Sequence, residues 1–313
     1  MSTNYDPSTK MLGIIFPIFN EQDIVLKFLS ELDQAIAGVS KEINIVCVAI
    51  DNGSTDKTLE LLLKTHLKNA DLEIVSLTRN FGYEIAFEVG LKEFEFDYYC
   101  LIDADGEDPV NLIPKFLEGL IQGNDVSFGL RQLRHESKMN QILRKIFYRV
   151  LSKIADDPFR VDVGEFSMFT SRVRRELIKE KNSYPFWRAS ISRAGFKSMS
   201  FPHQRSPRIG GKSRHNKLKM LKFAIIGVLS TTTWPLRFSV YSNLIAVTLT
   251  FLLLCLKLFI GLDPIYFYSV GVFSLFTVSF SLSAISMYLA RVYKNSLNRP
   301  NYYIQDKFTL KKS

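Results

Sequence analysis

Short apolar runs alternate with amphipathic stretches through the first third of the chain. Leu12–Phe16, Ile43–Ile50, Leu72–Leu77, Tyr98–Ile102 and Asp125–Phe128 carry the β-branched and aromatic content of buried strands. Between them, Glu21–Ala37, Asp56–Leu67, Glu84–Phe94 and Pro109–Ile121 repeat their apolar residues at helical spacing, with Pro109 where a first-turn proline is tolerated. Strand–helix alternation of this kind predicts an α/β fold: a doubly wound, mainly parallel sheet with helices on both faces. Such sheets bind ligands beyond the carboxyl ends of their strands, so the residues that end each strand carry the interest.

The pattern changes completely after residue 236. Phe238–Leu256 and Ile265–Ala290 are uncharged runs of 19 and 26 residues, joined by the turn Gly261-Leu262-Asp263-Pro264. Each is long enough to cross a hydrocarbon core of about 30 Å. A core helix of a soluble protein keeps a polar stripe, and Ile265–Ala290 offers only scattered Ser and Thr. A membrane hairpin is therefore expected. Lys217–Leu236 mixes lysines with Leu, Met, Phe and Ile ahead of Trp234-Pro235, as an amphipathic helix in the headgroup layer would. Gly, Ser and Thr through 271–284 suit close helix packing, within one chain or in a homo-oligomer. The predicted organisation is a cytoplasmic domain over 1–215, a juxtamembrane helix over 216–236, two spans within 237–290 and a cytoplasmic tail over 291–313.

Charge sharpens that picture. The net charge of +9 divides unevenly: residues 201–313 hold 15 Lys and Arg against Asp263 and Asp306, whereas residues 1–200 hold 25 against 29 acids. A nucleic-acid reader would concentrate its basic excess on the folded domain, so no nucleic-acid partner is expected. Here the excess crowds the outer ends of the two spans and avoids the turn, which by the positive-inside rule puts both ends of the hairpin in the cytoplasm. No basic start followed by an apolar stretch near Met1 reads as a signal peptide. Three scattered cysteines, Cys47, Cys100 and Cys255, make neither a disulfide framework nor a zinc cluster, and a reducing compartment fits them.

Three strand ends carry polar clusters: Pro17-Ile18-Phe19-Asn20-Glu21, Asp51-Asn52-Gly53-Ser54-Thr55-Asp56, and Asp103-Ala104-Asp105-Gly106-Glu107-Asp108-Pro109. In extended chain, residues two apart project to one side, so Asp103 and Asp105 can share a cation. Hard carboxylate oxygens suit Mg²⁺ or Mn²⁺, which keep positions open for substrate phosphates. Glu107 is placed to add a ligand or to orient one. Asp51 has two readings, as an acceptor for the N–H edge of a uracil or guanine base or as the residue that stabilises its own turn. In the second, Ser54 or Asp56 caps the next helix. Asn20-Glu21 reads equally well as a capping pair.

Taken together, these pieces resemble glycosyltransferase family 2, and within it the polyprenyl-phosphate glycosyltransferases of the bactoprenol glucosyltransferase and dolichol-phosphate mannosyltransferase types. The matching segments run nearly end to end: PIFNE (17–21), DNGSTD (51–56), TRNFGYEIA (78–86), DADGEDP (103–109), Arg131, VGEF (163–166), PRIGGKSR (207–214) and YLARVYKNSLNRP (288–300). The resemblance implies a GT-A-like nucleotide-sugar domain on the cytoplasmic leaflet of a bacterial inner membrane. It implies that Pro17, Phe19, Glu21 and Asp51 line the nucleoside pocket, that Asp103, Ala104 and Asp105 meet the donor, and that Asp103, Asp105 and Glu107 hold the cation. Arg131, Arg208 and Arg214 would face the donor diphosphate or the lipid phosphate, a role suited to planar guanidinium groups. Asp105, Glu165 and Arg131 are the residues it marks as catalytic. The segment 205–214, with Gly210-Gly211, closes over bound donor in this reading or serves as a membrane-electrostatic patch.

The reaction so implied moves a hexose, glucose from UDP-glucose by the look of the RVYKNSLNRP segment, to undecaprenyl phosphate with inversion. A separate flippase would then export the lipid-linked sugar for attachment to a surface polysaccharide. Similar proteins often have Lys at the position of Tyr83, Gln at that of Glu107 and Asp at that of Glu165, and a Gly-Glu-Tyr where this chain reads Ser286-Met287-Tyr288. Two other readings compete. A processive polysaccharide synthase would carry a Gln-x-x-Arg-Trp motif and more spans, which are absent here, and a silent membrane scaffold would have no need of Asp51, Asp103, Asp105 and Arg131 together.

Overall fold

A computed structural model describes residues 9–39, 43–131, 146, 149–156, 163–180, 182–204, 225–260 and 263–313. The chain divides into two compact units, one drawing on 1–146, 159–217 and 300–313 and the other on 147–158 and 218–299.

The first unit is built on an eight-stranded sheet in the order β7-β5-β6-β4-β1-β2-β3-β8. Its strands are β1 (Lys10–Ile18), β2 (Ile43–Asp51), β3 (Asp71–Leu77), β4 (Tyr98–Leu101), β5 (Val126–Arg131), β6 (Val163–Thr170), β7 (Ser198–His203) and β8 (Ile304–Leu310). The four central strands, β4-β1-β2-β3, run parallel, and β5 pairs parallel with β7. Antiparallel pairing enters where β6 inserts between β4 and β5 and where β8 joins β3. The sheet is mainly parallel, as expected, with antiparallel pairing confined to β6 and β8.

Alternation along β1 builds both layers of the core. Ile14, Phe16 and Ile18 pack with Phe28 and Leu32 of α1 (Val25–Ile36), Leu62 of α2 (Thr58–Leu63) and Phe116 of α4 (Ile113–Ile121). Ile15 faces the other way, with Val48, Val75 and Phe87 of α3 (Tyr83–Glu93), and beyond them Val173 of α5 (Ser171–Leu177) and Trp187 of α6 (Trp187–Arg193). Strands buried on both faces read as continuous apolar runs, which is why β1 to β4 stood out in the sequence. Cys47 and Cys100 lie fully buried in these strands, where burial pushes their thiols above the usual range and leaves them inert. Pro109 does not open a helix. It precedes a single 3-10 turn, Val110–Leu112, and Pro114 takes the first-turn place in α4.

Residues 291–313, expected as a tail, are structural. The second long helix continues to Ser296, and 304–310 form the edge strand β8, which places the end of the chain in the sheet.

The second unit contains α7 (Trp234–Ile260) and α8 (Pro264–Ser296), each long and apolar enough to cross a membrane. At 1.5 Å per residue they extend about 40 and 50 Å. Their large side chains are mostly exposed, Leu258 at 78% and Phe259 at 86% among them, the opposite of a soluble core helix. The two helices meet along small and polar residues: Ser239, Ser242, Ala246, Thr277, Ser281 and Ala284 are buried, and Asn243 Nδ2 donates to Ser281 Oγ at 2.6 Å. Trp234 and Pro235 open α7 rather than closing an interfacial helix. Asp156 receives the Thr233 amide at 2.6 Å and pairs with Arg237, fixing that start, while the Tyr288 hydroxyl donates to the Thr232 carbonyl. Residues 225–231 are helical, and the rest of the expected amphipathic segment, 217–224, lies outside the described residues.

Candidate active site

The carboxyl ends of β1 and β2 are knitted together by their own polar loops. Asn20, in the left-handed region at φ 53°, donates its amide to Ser54 Oγ at 3.0 Å and accepts the Thr55 amide at 2.7 Å. The Glu21 amide reaches Thr58 Oγ1 at 2.9 Å, and the Gln22 amide reaches Asp56 Oδ2 at 3.3 Å. So Asn20-Glu21 does not cap α1, whose start has no side-chain cap. It clamps the first strand end to the second, leaving Pro17, Phe19 and Glu21 half-buried at the rim. Asp56 does open α2, accepting the Thr58 amide and hydroxyl. Burial opposes its charge, yet those bonds and the Gln22 amide hold its carboxyl below the usual range.

Asp51 stabilises its own turn. It is 1% exposed, with Oδ1 accepting the Ser54 amide and Oδ2 the Ser76 hydroxyl, both at 3.1 Å. Next to it, Asn52 holds the β3–α3 loop in both senses, accepting from the Phe81 amide at 2.9 Å and donating to the Gly82 carbonyl at 3.1 Å. Gly53, at φ 71°, lies so close under that loop that a Cβ would stand 2.5 Å from the Arg79 carbonyl carbon. Only glycine permits both the backbone angle and the approach.

A carboxylate cluster forms at the ends of β4 and β6. The antiparallel register Leu101↔Ser167, continued by two residues, sets Glu165 opposite Asp103. Burial and the neighbouring charges of Glu165, Asp108 and Asp105 hold the Asp103 carboxyl well above the usual carboxylate range, against the pull of a hydrogen bond from the Tyr83 hydroxyl. Ala104 is buried beneath the loop, and the Asp105 carboxylate accepts the Glu107 amide at 3.0 Å across Gly106. Asp108, also buried, stands 3.5 Å from Nε2 of buried His203.

Glu84, the second residue of α3, belongs to the same cluster. Its carboxyl is pushed up to about 8, by burial first and then by Glu165, opposed by the Trp187 amide and Arg188. Oε2 accepts that amide at 3.1 Å, and Oε1 is buried with no hydrogen-bond partner among the described residues. Neither Glu84 nor Asp108 stood out in the sequence, because an acid in the first turn of a helix or beside a proline reads as ordinary capping. The one available signal was their presence inside the quoted segments TRNFGYEIA and DADGEDP.

Hard oxygen donors crowded at like charge fit a divalent cation. Among the described residues no group of three His, Cys, Asp or Glu side chains is arranged to hold one. Mg²⁺ commonly binds one or two carboxylates and takes its other ligands from substrate phosphates and water, a mode the Asp103/Asp105 pair suits. Arg131 is placed through its backbone alone, as the last residue of β5 in register with His203. Arg208 and Arg214 lie outside the described residues.

Comparison with known proteins agrees with this architecture. The family model for glycosyl transferase family 2 matches residues 13–181, more than half of the chain, and the chain belongs to that family. It is a glycosyltransferase. An uncharacterized glycosyltransferase of Bacillus subtilis is 28% identical over 304 residues, covering 95% of this chain and 94% of its own. The bactoprenol glucosyl transferase of Shigella phage SfX is 27% identical, with 95% and 99% covered. The undecaprenyl-phosphate 4-deoxy-4-formamido-L-arabinose transferase of Klebsiella pneumoniae is 26% identical, with 96% and 94% covered.

Proposed function

We propose that this enzyme transfers a hexose, glucose from UDP-glucose, to undecaprenyl phosphate at the cytoplasmic leaflet of a bacterial inner membrane, with inversion at the anomeric carbon. The observation that carries the reading is a half-buried carboxylate cluster at the strand ends of a family 2 domain, in a chain that also bears two membrane-length helices. Similarity over nearly the whole length to relatives named for bactoprenol and undecaprenyl-phosphate acceptors supports the lipid. Basic residues at both outer ends of the hairpin, with none in its turn, support the cytoplasmic side.

In this reading Asp103 and Asp105 hold Mg²⁺ or Mn²⁺, which when bound neutralises charge on the departing diphosphate. Pro17, Phe19 and Glu21 form the rim where the nucleoside lies, and Asp51 keeps that rim in shape through Ser54 and Ser76. The acceptor needs no general base: a phosphate monoester, with a second pKa of about 6, is largely dianionic at neutral pH. Glu165 therefore orients the acceptor or faces positive charge at the anomeric carbon. Arg131, Arg208 and Arg214 screen two anionic reactants from each other.

The test is to give detergent-purified enzyme undecaprenyl phosphate, a divalent cation and a panel of labelled nucleotide sugars. Label should enter organic-extractable lipid from UDP-glucose and stop with EDTA. Transfer from a different donor alone corrects the sugar, and lipid labelling from none, in a sample that still binds nucleotide, removes the reading.

A further inference from the structure

We propose that Tyr83 sets how tightly this site binds its divalent cation, by holding an Asp103 oxygen that the cation must take. The inference rests on the reading of Asp103 and Asp105 as the metal-facing pair.

Tyr83 has a fixed origin. It is the first residue of α3, launched by Gly82 at φ 102°, and the loop before it is pinned from both sides by Asn52. Its ring stands edge-on to Phe87, with centroids 4.9 Å apart at 83°. The residue is 36% exposed, and its hydroxyl donates to Asp103 Oδ1.

A hard cation held by the Asp103 carboxylate would draw off the charge to which that hydroxyl is bonded. Metal binding therefore costs the phenol its acceptor. The other bond in the acidic loop differs in kind, since the Glu107 amide that donates to Asp105 is backbone and part of the turn itself. Tyr83 donates from the side chain of a partly exposed residue, a bond that a change of rotamer removes without breaking a backbone bond of the loop. Tyr83 is thus a positioning residue for the empty state and a competitor for the loaded one.

The experiment is a Mn²⁺ titration of the full chain in detergent, followed by the electron paramagnetic resonance signal of free Mn²⁺, with UDP and separately with GDP present. Tyr83→Phe keeps the ring against Phe87 and removes only the donor. It is expected to bind Mn²⁺ roughly 3- to 10-fold more tightly than wild type, the scale of one net hydrogen bond. In an Asp103→Asn background the same substitution should bring no gain, because its effect passes through that carboxylate. Equal or weaker Mn²⁺ binding by Tyr83→Phe overturns the proposal and leaves the metal pair standing, as does an undiminished gain in the Asp103→Asn background. If neither wild type nor Tyr83→Phe binds Mn²⁺ saturably with either nucleotide, the metal reading fails and the proposal falls with it.

Discussion

Glu84 illustrates how much of a residue's character comes from its neighbours. In isolation a glutamate titrates near 4.3. Here burial and Glu165 push it up to about 8, so between those values the folded chain holds a proton that the unfolded chain has released. An acid raised in this way stabilises the fold fully at low pH, and the contribution drains away as pH climbs through the folded value. Thermal stability should therefore decline from pH 5 to pH 8, and Glu84→Gln, which keeps a neutral side chain at every pH, should flatten that decline. Melting curves of both proteins at closely spaced pH values check it; an unchanged slope in Glu84→Gln would show the carboxyl to be ionised in the fold. At this scale the sequence was readable where chemistry is local, as in Asp103 and Asp105 two residues apart at a strand end. It was unreadable where the partner is remote. Glu165 meets Asp103 through pairing of strands more than sixty residues apart, and Asp51 turned inward because Ser76, on the next strand, supplied a donor.

Among the elements, β8 connects the most. It pairs antiparallel with β3, and the residues just before it grip α3. Asn301 Nδ2 donates to both oxygens of buried Glu88 and to the Asn182 carbonyl, Tyr302 reaches Glu93, and the Tyr303 carbonyl accepts the Thr78 amide at the head of the loop that delivers Tyr83. Asn301→Ala takes those donors from a buried carboxylate that retains Lys92, a loss of about 1–3 kcal/mol. Amide hydrogen exchange should quicken across α3 in that variant and stay as it was in α1, on the opposite face. Equal protection of α3 in the two proteins would show that the helix stands without its strap. Periodicity located β1 to β4 to within about two residues, because strands buried on both faces are continuous apolar runs. It passed over β6, β7 and β8, the first and last of them for opposite reasons. β6 follows a long insertion and pairs antiparallel, outside the strand–helix rhythm, while β8 is a sheet edge with Gln305, Asp306 and Lys307 in sequence, a composition that discourages pairing with other chains and reads as a tail.

At the scale of the molecule, one chain leaves the catalytic unit for a pair of membrane-length helices and then comes back to close the sheet. Composition made the helices plain, but nothing in a linear reading shows that residues 304–310 return to the first unit. That course suits the proposed enzyme, whose donor is water-soluble and whose acceptor is a lipid. The direct measurement is the rate at which glucose passes from UDP-glucose into undecaprenyl-phosphate-containing proteoliposomes, for wild type and for Asp105→Ala. Wild type should form organic-extractable glucolipid, and Asp105→Ala should lose at least about a hundredfold in rate while keeping its fold, as expected when charge stabilisation of the leaving group is removed. Glucolipid formed at the wild-type rate by Asp105→Ala would contradict the account, since transfer would then proceed without the cluster on which it is built.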